Sequence, residues 1–127
     1  MENAEGRIIG VTAAEALVAC RLVTPASSAV TYSDAITERP LGIVQFSVAN
    51  TERASVQIDG TSYLDCDGSG TAITVGALLM PKASSDGLGI VAVGATAIPC
   101  VRALEATTSA TGRILVQILP GLPALGA

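Results

Sequence analysis

The sequence predicts an all-β fold: a small antiparallel β-barrel or sandwich built from two similar halves. Three observations predict it. Short runs rich in Val, Ile and Thr are broken by Gly, Pro, Ser and Asp at close intervals, the punctuation of a chain that turns after each short strand. Some runs alternate with the period of two that a half-buried strand requires. In RASVQI, residues 53–58, Ala54, Val56 and Ile58 alternate with Ser55 and Gln57, and RILVQIL at 113–119 does nearly the same. The third observation is a likeness between the two halves of the chain, which bears on the whole architecture.

Sliding the sequence over itself by 56 positions lays ALVACRLVTPASS (16–28) on AITVGALLMPKAS (72–84), matching Ala16 with Ala72, Leu22 with Leu78, Pro25 with Pro81 and Ser28 with Ser84. A shift of 59 brings Pro40 onto Pro99, and a shift of 60 brings Val56, Gln57 and Ile58 onto Val116, Gln117 and Ile118. The drift implies insertions around 85–98 and 107–112, where Gly, Ser and Thr cluster. The chain therefore reads as one domain over 1–127, with pseudo-repeats at 6–58 and 62–118 and flexible or extended ends at 1–5 and 120–127.

The repeat decides two ambiguous segments. TAAEALVAC (12–20) has Thr12 and Glu15 in capping-box positions and Ala-rich content after them, which by itself favours a helix. Its counterpart GSGTAITVG (68–76) carries glycines and β-branched residues, so a turn and a short strand are expected in both. DCDGSGT (65–71) offers Asp65 and Asp67 as calcium ligands, but the twelfth position of such a loop is Gly76 where a bidentate Glu is required. It reads as a turn. At the 56 shift RIIG (7–10) lies over YLDC (63–66), which makes DCDGSGT the opening turn of the second copy.

Composition excludes several function classes. At 127 residues the chain is long enough to bury about two-thirds of its unfolded surface. Only 14% of residues are charged while 50% are hydrophobic, too few charges to cover a monomer, so other subunits are expected to cover part of the outside. Phe46, Tyr32 and Tyr63 are the only aromatics, and the net charge is −4, which disfavours nucleic acid for want of cations and stacking platforms. No run reaches the ~18 apolar residues of a membrane-spanning helix, and MENAEGRII lacks the basic and apolar regions of a signal peptide, so synthesis and retention in a cytoplasm are expected. With no His, no CxxC pair and an odd count of cysteines, Cys20, Cys66 and Cys100 read as small buried hydrophobes, reduced and dispensable.

No residues converge on a catalytic, cofactor-binding or metal arrangement, and no enzyme activity is expected. DGLGIVAVGA (86–95) contains a GxGxxA pattern at Gly87, Gly89 and Ala92, but it leads into IVAV, a strand, where a dinucleotide fingerprint must open a helix. Lys82 in MPKASS (80–85), the single lysine of the chain, raises an alternative: lipoyl and biotinyl carrier domains present their modified lysine at a hairpin tip of a duplicated β-sandwich. Against it, the Met-Lys-Met or Asp-Lys-Ala signature is missing and Pro81 directly precedes the lysine; a solvated lysine is the simpler reading. Arg39 with Glu38 and Arg53 with Glu52 read as exposed loop or strand-end charges.

Two copies of a module that runs into a Pro/Ala/Ser loop, then a Pro-Leu-Gly-Ile-Val strand and a closing VQI strand, resemble the small phage head decoration, or capsid cement, proteins. RPLGIVQFS (39–47) followed by ASVQIDG (54–60) is the most recognisable part, and the resemblance covers about residues 6–119. It implies a β-rich domain that forms a homotrimer on the outer capsid surface of a virion, bridging major capsid protein subunits, with no cofactor and no catalytic residues. Under that resemblance, polar MENAEG at the start and LPGLPALGA at the end, where Pro120 and Pro123 flank Gly121, are expected to act as arms that order against a neighbouring subunit or the major capsid protein. A β-rich module of another assembly is a further alternative.

Overall fold

The computed structural model describes residues 6–35, 39–94 and 97–119; the two expected arms fall outside them at 1–5 and 120–127. Ten strands form and, among the described residues, no helix: β1 (Ile8–Ala13), β2 (Arg21–Ala26), β3 (Ala29–Tyr32), β4 (Gly42–Val44), β5 (Arg53–Gln57), β6 (Gly60–Cys66), β7 (Leu78–Pro81), β8 (Gly89–Val91), β9 (Val101–Ala103) and β10 (Gly112–Ile118). The all-β expectation of two similar halves holds. Each half closes a barrel of its own, β1-β3-β2-β4-β5 and β10-β6-β8-β7-β9. Within each otherwise antiparallel barrel the first and third strands run parallel, β1 with β3 and β6 with β8.

Corresponding bonds recur with the offsets read from the sequence. The Leu41 N–H donates to the Val23 carbonyl, and the Cys100 N–H to the Leu79 carbonyl. An isolated bridge pairs Leu17 with Val48 in the first barrel and Ile73 with Thr107 in the second. TAAEALVAC is the end of β1, a bend and that bridge, not a helix. One alignment needs correction. Ile8 pairs with Gln57 and Thr61 pairs with Gln117, so β1 and β6 are offset by 53 positions (8 to 61), not 56. The second copy carries three extra residues immediately after its first strand. DCDGSGT is therefore a turn that leaves β6 and does not open the copy: Asp65 and Cys66 end the strand, and the Ser69 N–H and hydroxyl both donate to Asp67 Oδ1.

Alternation builds the cores. In β10, Ile114, Val116 and Ile118 are buried while Arg113 and Gln117 are exposed, as a strand with one face inward requires. The first core gathers Ala13, Leu17, Val23, Val44, Ala54 and Val56. Their counterparts in the second are Cys66, Ile73, Leu79, Ala103, Ile114 and Val116, so volume is traded between positions: Val23 becomes Leu79 where Val44 becomes Ala103. Leu22 and Ile43 of the first barrel point out of it and pack into the second core, which is why β2 and β4 are buried on both faces. Leu64 is fully buried in the second core, and Leu64→Ala should lower stability by about 2–5 kcal/mol, read as a drop in the urea midpoint with an unchanged slope.

Candidate interaction site

The barrels meet along β6. Because β6 pairs with β10 along its length but with β8 only at Cys66, its outer edge is left open, and the first barrel covers it. The Asp65 N–H donates to the Cys20 carbonyl at 2.8 Å, and Gln45 Nε2 donates to Ser62 Oγ at 2.9 Å. Between them sits the buried carboxylate of Asp65. Arg21 of β2 donates through Nε to its Oδ2 at 3.0 Å, and Arg113 of β10 through Nε to its Oδ1 at 2.9 Å. One carboxylate thus ties strands of both barrels by charge-assisted bonds, the stronger class of hydrogen bond. The bond from Asp65 raises the Arg113 pKa further.

The loop between β7 and β8 closes the junction from the other side. The Leu22 N–H donates to the Gly87 carbonyl, and Asp34 accepts from the Ser84 N–H through its backbone and from the Asp86 N–H through Oδ1. Gly87 has φ +76°, and a Cβ there would lie 2.4 Å from the Leu22 carbonyl oxygen. Only glycine fits so close an approach at that φ. The GxGxxA pattern is explained by this contact and by Gly89, whose Cβ would strike Leu64.

Lys82 lies where β7 runs into the loop, and its ammonium pairs with Asp67 at 2.5 Å. A lysine held by a carboxylate is not displayed as a carrier lysine is. The bonds from Lys82 and then Ser69 hold the Asp67 carboxyl well below the usual carboxylate range. Among the charges expected in loops, Arg39 and Arg53 are exposed, Glu52 accepts the Ala49 N–H, and Glu38 lies outside the described residues. All three cysteines are buried and free. Burial raises the pKa of each thiol, that of Cys100 up to about 12, so they are protonated and poor nucleophiles at neutral pH. Among the described residues no group of three or more His, Cys, Asp or Glu comes together to hold a metal. An apolar cleft of about 40 Å³ shared by the barrels, with Pro40 and Ile43 facing Pro99 and Val101, has room for a few waters.

What the molecule does display is apolar surface. Ile8, Val18, Phe46, Val75, Val93 and Leu104 are exposed, from 36% for Leu104 to 68% for Val75. Sequence reading expected such patches without placing them, and it missed the Asp65 triad. An Asp inside a run of strand residues was the signal for the latter.

No family model matches the sequence, and no curated protein matches it. Among solved structures, the N base of the head fiber gp8.5 of bacteriophage phi29 superimposes with a TM-score of 0.67 over 89% of this chain and 93% of that one, at 16% identity. The likeness establishes the fold. Two tests probe the junction. Gly87→Ala should destabilise the protein by at least about 2 kcal/mol, since it adds left-handed strain to a backbone clash, and thermal unfolding would register it. Because the Asp67 pKa is depressed in the folded state, its stabilising effect is present above the unfolded value of about 3.9 and is lost as pH falls through the folded one. The unfolding midpoint of wild type should therefore fall more steeply below pH 4 than that of Asp67→Asn, measured from pH 7 to 2.

Proposed function

We propose that this chain is a structural protein of a phage head: a decoration protein that trimerises on the outer surface and bridges major capsid subunits. The observation that carries the reading is the shared double-barrel fold, which extends over nearly the full length of a phage head-fiber base. The chemistry agrees with it. Closed barrels leave few free strand edges, the thiols are masked, the single lysine is ion-paired, and exposed apolar side chains offer surface for partners. A lattice protein of this kind needs contacts rather than reacting groups, and linking three copies multiplies a weak single-copy affinity. The reading gives the chain no catalytic role and no cofactor. It places it in the virion after synthesis in a host cytoplasm, with neither nucleic acid nor membrane as partner.

The purified protein should run at three times the chain mass in light scattering and co-sediment with phage heads to a saturable occupancy. Deleting 120–127 should leave the trimer folded and reduce that occupancy. A monomer at micromolar concentration that stays in the supernatant when mixed with heads overturns the reading.

A further inference from the structure

The two barrels are equivalent strand by strand, so the surfaces that meet within one chain each have an uncovered counterpart. The covering surface of the first barrel is built by Cys20, Arg21, Leu22, Asp34, Ile43 and Gln45. By the offsets of 56 and 59, their counterparts in the second barrel are Gly76, Ala77, Leu78, Val93, Arg102 and Leu104. Val93 is 60% exposed and Leu104 36%, and Val75 beside Gly76 is 68% exposed. Where the first barrel places Arg21, Asp34 and Gln45 against its neighbour, the second has Ala77, Val93 and Leu104, and the exposed Arg102 stands where the first has Ile43.

The covered surface is the edge of β6. Its counterpart is β1, which pairs with β5 along its length but with β3 only at Thr12 and Ala13, leaving Ile8–Val11 with no strand partner on that edge among the described residues. In β6 the outward residue Asp65 is buried under the first barrel. In β1 the outward residues Ile8, Gly10 and Thr12 are all exposed, Ile8 by 55%. Among the described residues, four of the six exposed large hydrophobics therefore lie on the two faces that the internal junction does not cover.

We propose that a second copy of this chain supplies that neighbour: the Val75, Val93 and Leu104 face of one copy docks on the β1 edge of the next, repeating between chains the contact that joins the barrels within one. The proposal rests on the homo-oligomer reading above and gives it an interface. The contact is head-to-tail, joining two different faces, so it closes a ring when the rotation per copy permits. Its chemistry differs from the internal junction as its residues do. Ala77 and Thr12 stand where Arg21 and Asp65 form an ion pair, and apolar burial replaces that pair. The hairpin at Ser27 and Ser28 stands where the longer loop at 83–88 reaches Asp34, and Val93 faces it in place of that carboxylate.

The test uses full-length Leu104→Glu and Ile8→Glu, with Val75→Glu as a second variant of the same face, each checked for native circular dichroism. All three side chains are exposed, so the fold should survive. Each variant alone should lose the oligomer and run as a monomer in sedimentation velocity. An equimolar mixture of Leu104→Glu with Ile8→Glu should form a 1:1 dimer and nothing larger, because the intact apolar face of the second fits the intact β1 edge of the first while the two outer faces carry like charges and repel. Wild type that is oligomeric together with variants that remain so overturns this interface and leaves the oligomer reading standing. A mixture that stays monomeric overturns the head-to-tail geometry, and a wild type that is itself monomeric overturns both.

Discussion

The whole molecule hangs on the way one barrel closes the other. Each half leaves its first strand with an open edge, because that strand meets the third only at its last residues. In the second half the gap is filled by β2 and β4 of the first, with the Asp65 carboxylate held between Arg21 and Arg113 at its centre. An anion buried without partners would cost several kcal/mol, and two arginines in hydrogen-bonding range remove that cost while fixing the angle at which the barrels meet. Leu22 and Ile43, turned out of one core and into the other, supply the apolar burial on which such a junction depends.

Duplication explains the texture of the cores. Of the three aromatics in the chain Tyr32 alone joins a core, that of the first barrel, so Val, Ile, Leu and Ala fill most of the space in small exchanges of volume between equivalent positions. Cys66 takes the place of Ala13, and Cys100 that of Leu41. Their burial raises the thiol pKa and leaves them as packing groups. The copies diverge where the junction demands it: Asp67, which stands where the first copy has Ala14, anchors Lys82, and three residues added between β7 and β8 let Gly87 reach Leu22.

Inward-facing polar groups and masked thiols are compatible with the structural role proposed above. The ion pairs at the junction and at Lys82 face inward or hold loops, while Ile8, Val75, Val93 and Leu104 stand exposed on the faces the internal junction does not cover. In a monomer these would be a liability in water; in the assembly proposed above they would be buried.

The sequence alone determined the strand class, the two halves and most of their register, because alternation and turn residues are local signals and because the offsets 56, 59 and 60 survive in every strand except the first of each half. It misplaced DCDGSGT, since an offset found in one strand need not hold in the strand before it when a loop between them has grown. It also let the repeat overrule the helical look of TAAEALVAC, and the bridge from Leu17 to Val48 is the tertiary contact that makes that segment extended. Only the tertiary structure decided that each half closes on itself, that Asp65 joins Arg21 and Arg113 across 44 and 48 residues of chain, and which of the apolar residues stay in water. Those outcomes rest on which strand edges are left open after closure, a property of the assembled sheet that no single stretch of sequence carries.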